Sequence, residues 1–117
     1  MLFLQYPPCS TCRKAKAWLD EHRLAYTARH IKEENPTYEE LKSWYEGSGL
    51  PLKKFFNTSG QLYKAMELKE KLPTMTEEEQ LHLLAEDGML IKRPILVTDN
   101  GKILVGFRAP EWEQVLL

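Results

Sequence analysis

The sequence contains two cysteines, Cys9 and Cys12, which are separated only by Ser10 and Thr11. They stand between a short apolar run and an amphipathic pattern, so they fall at the N-terminus of a predicted helix. A thiolate at such a position is stabilised by the helix dipole and by backbone N–H groups without helical partners. The pKa of a thiol there falls from about 8.5 toward roughly 3.5 to 7.5. The motif therefore predicts thiol redox chemistry with a nucleophile that is active at neutral pH.

Two other interpretations of the cysteine pair are half of a zinc site and a pair of inert buried thiols. A structural zinc ion needs four ligands, and the histidines lack the short spacing that accompanies such a pair. We therefore expect no metal and interpret the histidines as surface or partly buried residues; they are His22, His30 and His82. The predicted strand, turn and helix around the cysteines are what a redox motif requires, which favours redox chemistry over inert thiols.

The length and charge of the chain limit the number of domains and the kinds of partner that the protein can have. A chain of 117 residues predicts one domain. The net charge is -1 and charged residues are interspersed, so we expect neither direct nucleic-acid binding nor membrane binding. The opening apolar run is too short for a secretory signal, and we expect a cytoplasmic protein. Cytosolic reductants keep unspecialised thiols reduced, so a close pair favours catalysis, sensing or metal binding over a structural disulfide.

A β-α-β unit is predicted to position the two thiols. Residues 1–5 form an apolar run that ends at Pro7-Pro8, which predicts a first strand. Apolar residues at helical spacing predict a helix from Ser10 to about His22. The mixed stretch 24–31 then predicts a second strand that is parallel to the first. The cysteines therefore lie in the turn between the first strand and its helix.

Residues 36–88 predict a helical block. Two Thr-x-x-Glu capping boxes, at Thr37 and at Thr76, each begin a helix. The first is predicted to run to about Glu46 and to be ended by the glycines at 47 and 49, and the second to stop before Gly88. Between them we predict a short helix from Pro51 through 55–56, a turn at 57–60 and a helical pattern over 61–68.

The C-terminal part predicts a hairpin and a last helix. Two apolar, β-branched runs, Pro94 to Thr98 and Lys102 to Phe107, are joined by Asp99-Asn100-Gly101. This is a hairpin signal because Asn and Gly accept positive φ. Pro110 then opens a helix with an apolar inward face. Its inward positions are Trp112, Val115 and Leu116. The order is β-α-β, helical block, β-β-α, which defines an α/β fold.

A Cys-x-x-Cys in the first βα turn, with a later hairpin that begins at a proline, resembles a thioredoxin-like fold. The inserted helical block, the run Arg93 to Val97 and the run Val105 to Phe107 resemble one branch: the glutaredoxin-coupled arsenate reductases of the ArsC type and their Spx-like relatives. The similarity covers essentially the whole chain. It implies a mixed four-stranded sheet formed by residues 1–32 and 91–117, an all-helical insertion at 33–90, and a cis-proline, Pro94, against the cysteine pair.

The same resemblance implies roles for individual residues. Cys9 matches the nucleophile of a Cys-x-Thr-x-Arg loop, with Thr11 and Arg13 in step. Arg93 takes the place of an arginine that helps to bind and stabilise the oxyanion. Helix N-terminal N–H groups and a guanidinium would both favour a thiolate and dock a tetrahedral anion. The groups implied to complete this cradle are the N–H groups of Ser10, Thr11 and Cys12.

The arginines also have a plainer interpretation and depart from the family pattern. Arg13 and Arg93 could be solvated surface residues. Arsenate reductases of this type carry a second arginine where this chain has Phe56-Asn57-Thr58, and a third where it has Phe107, with Arg108 one residue later. Arg108 substitutes only if its loop shifts. An arsenate that faces one guanidinium loses charge-assisted hydrogen bonds of roughly 1.5 to 3 kcal/mol each, which argues against efficient arsenate reduction.

The resemblance leaves two functional hypotheses. In the preferred one, an oxidoreductase, Cys9 attacks arsenate or another small oxyanion, or a disulfide, and Cys12 or an external thiol resolves the adduct. No cofactor is bound, and glutathione, glutaredoxin or thioredoxin supplies electrons. In the alternative, an Spx-like regulator, a disulfide between Cys9 and Cys12 tunes docking to the RNA polymerase α subunit. Nothing in the sequence demands more than a monomer.

Overall fold

A computed structural model describes all 117 residues and contains one mixed four-stranded sheet. Across the sheet the strand order is β2-β1-β3-β4. β1 is parallel to β2 and antiparallel to β3, and β3 is antiparallel to β4. The predicted βαβ…ββα arrangement around a mixed sheet is therefore confirmed. The strands are β1 (Leu2–Gln5), β2 (Thr27–His30), β3 (Ile95–Val97) and β4 (Ile103–Val105).

Six α-helices accompany the sheet, and four of them lie in the predicted helical block. None has the length and apolar character that crossing a membrane requires. The helices are α1 (Ser10–Glu21), α2 (Tyr38–Ser48), α3 (Gln61–Ala65), α4 (Leu68–Lys71), α5 (Glu77–Glu86) and α6 (Ala109–Leu116). Short 3-10 helices lie at Leu52–Phe55, Leu72–Thr74 and Gly88–Leu90.

One prediction inside the helical block is confirmed in part and another was wrong. Gly49 ends α2 in the left-handed conformation, at a φ of 69°, as predicted, but Gly47 stays within the helix and α2 runs two residues past Glu46. The helical pattern over 61–68 is broken, since Glu67 has a φ of 54° and separates α3 from α4. A left-handed residue cannot continue an α-helix, and nothing in the apolar spacing indicates it.

Both faces of the sheet are buried. Because side chains alternate along a strand, Phe3 and Leu96 face α1 and α6, while Leu4 and Ile95 face the helical block. The α1 side includes Trp112, which is fully buried. The sheet therefore holds its loops from two sides, and it fixes the turn that carries the cysteines.

The directions of the strands gather one set of residues at one end of the sheet. β1 runs toward the cysteine turn, and the antiparallel β3 starts where β1 ends, so Arg93 and Pro94 lie at that end. β4 ends there as well, because the N–H of Gly106 donates to the Pro94 carbonyl at 2.8 Å. The Arg93–Pro94 peptide bond is cis, as predicted. We call this end of the sheet, with Cys9 at its centre, the thiol end.

Candidate thiol active site

Cys9 is the N-cap residue of α1. Its backbone is extended, at φ −72° and ψ 125°, and no side chain caps the helix. Its N–H donates to the Tyr6 carbonyl at 2.9 Å, and its carbonyl accepts from the Arg13 N–H at 3.1 Å. The turn is therefore fixed by backbone hydrogen bonds. The Cys9 side chain, which is partly exposed, faces the open N–H groups of the first helical turn.

Several opposing effects set the pKa of Cys9. Partial burial raises it, but the N–H of Cys12, the Cys12 thiol, the N–H of Thr11 and the positive charge of Arg93 all lower it. The net result is a pKa below the ordinary value for cysteine. A larger fraction of Cys9 is therefore thiolate at neutral pH than in an ordinary cysteine, and the thiolate is the nucleophilic form.

Cys12 has the opposite character. Its side chain is fully buried, and the Tyr6 N–H donates to its sulfur at 3.5 Å. Burial is the largest effect on the pKa of Cys12 and raises it. The hydrogen bond and negative charge of Cys9 raise it further, whereas the Tyr6 hydrogen bond lowers it, and the net result is a pKa of about 12. Cys12 is thus a protonated donor beside the more acidic Cys9, so the two thiols have different ionisation states at neutral pH.

Arg93 lies over the ring of Tyr6, with its Cζ atom 5.1 Å from the ring centroid. Its Nη1 group donates long hydrogen bonds to the carbonyls of Met89 at 3.4 Å and Ile91 at 3.5 Å. Its Nε atom is buried and has no hydrogen-bond partner. A buried donor without a partner is uncommon and costs stability. The guanidinium is therefore held near both thiols with donor capacity that the protein leaves unused.

The remaining predicted site residues differ in their placement. Thr11 contributes its N–H to the thiol environment, whereas Ser10 is exposed. Pro94 begins the hairpin at the thiol end. Arg13 and Arg108 are exposed and form no ion pair, and Arg108 is the N-cap residue of α6. The structure therefore brings Cys9, Cys12 and Arg93 together, while the other two arginines are not among the groups that act on the two thiols.

Tyr6 is the residue that sequence reasoning missed. No role in the site was predicted for it, yet its carbonyl accepts from the Cys9 N–H and its N–H donates to the Cys12 sulfur. Its ring carries Arg93. The available signal was an aromatic residue directly before the Pro-Pro turn that leads into the cysteine motif. Aromatic faces attract guanidinium groups, so this residue was a candidate support for an active-site arginine.

A thiol pair at the start of a helix, next to a cis-proline hairpin in a sheet of this topology, is the arrangement of thioredoxin-like redox proteins. This chain is a thiol redox protein of that fold. Residues 4–115 match the ArsC family, and the chain belongs to it. The resemblance inferred from the cysteine loop and the Arg93-Pro94 run is therefore confirmed at the level of the family.

Three relatives of this chain carry two kinds of name. A solved structure described as a possible arsenate reductase from Streptococcus mutans is 50% identical, with a TM-score of 0.87, and the match covers 96% of each chain. The regulatory protein MgsR of Bacillus subtilis is 38% identical over 95% of this chain and 86% of its own. The global transcriptional regulator Spx of Staphylococcus aureus is 30% identical over 94% of this chain and 82% of its own. A possible arsenate reductase and two regulators are thus similar to this chain.

Proposed function

We propose that the protein is a thiol-dependent oxidoreductase in which Cys9 is the nucleophile and Cys12 the resolving thiol. The observation that carries the proposal is the opposite character of the two neighbouring thiols. The pKa of Cys9 lies below its ordinary value, whereas that of Cys12 is raised to about 12. A nucleophile must be deprotonated to attack, and a resolving thiol must stay protonated until an adduct has formed.

In the first step the Cys9 thiolate attacks one sulfur of a disulfide substrate. A bond forms between that sulfur and Cys9, the substrate S–S bond breaks, and the other half leaves as a thiolate. Arg93 supports this step because its positive charge favours the Cys9 thiolate. The N–H groups of Thr11 and Cys12 stabilise the same negative charge.

In the second step Cys12 attacks the Cys9 sulfur and releases the remaining half of the substrate. Burial, and then the hydrogen bond and charge of the Cys9 thiolate, hold the pKa of Cys12 up. Formation of the adduct removes the latter two effects, since Cys9 no longer carries a charge. The Tyr6 N–H and the Arg93 charge, which lower the pKa of Cys12, remain. Cys12 therefore becomes more acidic when its attack is needed, and the protein ends with a Cys9–Cys12 disulfide and two electrons transferred.

Arsenate is the second electrophile that this site accommodates. Cys9 would displace a hydroxyl group from arsenic, and attack of Cys12 on the Cys9 sulfur would then release arsenite, with arsenic reduced by two electrons. Arg93 offers an unused buried donor to the oxyanion. Because Arg13 and Arg108 are exposed and Arg93 is the only arginine that acts on Cys9, we expect arsenate to react more slowly than a disulfide. In either case glutathione, glutaredoxin or thioredoxin would reduce the protein disulfide again.

The test is a single-turnover reaction of the reduced protein with hydroxyethyl disulfide and, separately, with arsenate. The unaltered protein should release two small thiols per disulfide consumed, because both steps proceed. Cys12→Ser, the matched variant, should release one and keep the other half bound to Cys9. Cys9→Ser should remove both reactions. A Cys9→Ser protein that still reduces the disulfide at the unaltered rate would contradict the proposal.

A second candidate function is redox-dependent regulation. It is favoured by the printed names of MgsR and Spx, which are regulators, and by the presence of Cys12. In this function the Cys9–Cys12 disulfide would change the first turn of α1 and alter docking to the RNA polymerase α subunit. Binding of the purified α subunit to the oxidised and to the reduced protein tests it. Equal binding in both states, and in Cys12→Ser, would reject it.

A further inference from the structure

A small lysine-lined pocket lies beside the thiol end. Its volume is about 300 Å³, and we call it the lysine pocket. Three of its lining residues are lysines, and none is acidic. The lining residues are Lys53, Lys54, Phe56, Thr58 and Lys92.

No carboxylate of the protein forms an ion pair with the lysines of this pocket. Lys16 and Arg29 elsewhere pair with carboxylates. The neighbouring hollow provides a contrast, because its charged lining is balanced. That hollow contains Lys64, Lys69, Glu67 and Glu70. Three cations around one concave surface, without a counter-charge, create a local attraction for anions.

The backbone ties the lysine pocket to the thiol end. The N–H of Lys92 donates to the Phe55 carbonyl at 2.8 Å, and Phe56 forms a β-bridge with Ile91. The Lys92 side chain passes close to Gly106, since a Cβ built on that glycine would lie 3.3 Å from the Lys92 Cε atom. Gly106 is hydrogen-bonded to Pro94, at the start of the hairpin.

Lys92 is also the residue before Arg93, whose charge acts on Cys9. Consecutive Cα atoms are about 3.8 Å apart, so the pocket includes the direct neighbour of the arginine that acts on Cys9.

We propose that the lysine pocket binds the carboxylates of a small anionic disulfide while its sulfur is attacked by Cys9. The inference rests on the proposed oxidoreductase function and names its substrate class. The covalent step is the exchange described above: a Cys9–sulfur bond forms, the substrate S–S bond breaks, and the leaving half departs as a thiolate. The lysines take no part in bond making. They raise the local concentration of the anionic substrate and hold it for attack.

The experiment measures second-order rate constants of the reduced protein with three disulfides of different charge. Oxidised glutathione is anionic, hydroxyethyl disulfide is neutral, and cystamine is cationic. Because the leaving thiol also affects the rate, each disulfide is compared with itself across variants. The test variant is Lys53→Gln, Lys54→Gln, Lys92→Gln, and the matched control is Lys64→Gln, Lys69→Gln, in the hollow next to it.

We expect the triple variant to react about five- to tenfold more slowly with oxidised glutathione, because the substrate carboxylates lose their ion pairs with three partly solvated lysines. Its rate with hydroxyethyl disulfide should be unchanged and that with cystamine higher. The control should leave all three rates unchanged, and added salt should reduce the difference seen with glutathione.

Equal glutathione rates in the triple variant and the unaltered protein would overturn the lysine pocket as a substrate site, while rapid reaction with hydroxyethyl disulfide would leave the oxidoreductase function standing. An equal loss in the control would also overturn it, since the effect would then come from overall charge. A reaction with none of the three disulfides would instead reject the proposed function itself.

Discussion

The helices that begin with capping boxes in the helical block and the helix that begins at the thiol end differ in how their open N–H groups are satisfied. In the block, the acidic residues that complete the two capping boxes have partners within the protein. Arg29 donates to both carboxylate oxygens of Glu40, at 2.7 and 2.9 Å. Glu40 also completes the capping box of Thr37, and the box at Thr76 is completed in the same way by Glu79. These helices begin with their open N–H groups satisfied, which stabilises the fold.

At the thiol end the corresponding groups are left open. α1 begins at Cys9 without a side-chain cap and has no acidic residue in its first turn. The Arg93 Nε atom is buried without a partner, and Lys92 faces a pocket without acidic residues. Both regions face the same sheet, so the difference is local. It teaches that α1 and Arg93, unlike the helix starts of the block, keep N–H donors without a protein partner where a thiolate and a substrate anion are expected.

Replacing Arg93 with Gln tests the comparison at the thiol end, where it should slow the reaction of Cys9. The variant loses the positive charge that lowers the pKa of Cys9, so the pKa rises. The transition state then loses one charge-assisted interaction worth about 1.5 kcal/mol or more. We therefore expect the reaction with oxidised glutathione to be about tenfold slower or more. Stopped-flow rates measure the effect, and urea unfolding should show little loss of stability.

Arg13→Gln is the matched control for Arg93→Gln. Arg13 is exposed and directly follows Cys12, so this variant also removes one arginine charge near the cysteine motif. Its rate should stay within about twofold of that of the unaltered protein, the range of a solvated surface charge. If Arg13→Gln slows the reaction as much as Arg93→Gln does, the assignment of the active-site guanidinium to Arg93 is wrong.

Glu40→Gln tests the comparison within the helical block. It should lower the free energy of unfolding and leave the reaction of Cys9 with disulfides unchanged. The amide retains the capping geometry but not the charge paired with Arg29. Its hydrogen bond with Arg29 is the largest effect on the Glu40 carboxyl, and the pKa lies at about 2 instead of 4.5. Since this carboxylate is partly exposed, we expect a cost of about 1 to 2 kcal/mol at neutral pH.

The pH dependence of this variant has a definite sign. A depressed carboxyl pKa stabilises the folded state above the unfolded value of 4.5, and this stabilisation is lost as the pH falls toward 2. Denaturant unfolding from neutral to acidic pH should therefore show the unaltered protein and Glu40→Gln converging across that window. A gap that stays constant across it would mean that the ion pair with Arg29 does not contribute.

Thr76→Ala sharpens the comparison with the smallest expected effect. The Thr76 hydroxyl accepts from the Glu79 N–H at 3.1 Å, and its loss should cost about 1 kcal/mol of unfolding free energy. Ser43→Ala, at an exposed position inside α2 with no side-chain hydrogen bond, is the control and should change stability by less than about 0.5 kcal/mol. A slower reaction of Thr76→Ala with disulfides would show that the block and the thiol end are coupled.

Local sequence signals predicted the elements that position the site. The capping boxes at Thr37 and Thr76, the turn before Cys9 and the hairpin at Asn100-Gly101 depend on neighbouring residues, so a single sequence suffices to find them. The cis-proline came from the family resemblance, because a spacing pattern does not specify the isomer of a peptide bond.

Features that depend on tertiary contacts were not predictable in the same way. The left-handed conformation of Glu67 has no signal in the apolar spacing. The support of Arg93 by the ring of Tyr6 joins residues from the two ends of the chain. The lysine pocket likewise combines residues from the helical block with Lys92, which the sequence separates by more than thirty positions. Such sites arise only after the chain has folded.

The most direct test of the account is the pH titration of the reduced protein by thiolate absorbance at ~240 nm. The account predicts a first transition below the ordinary cysteine value, which disappears in Cys9→Ser, and a separate late rise from Cys12. Cys12→Ser should retain a low transition for Cys9. A Cys9 thiol that titrates at or above the ordinary value would contradict the central claim that the thiol end activates it.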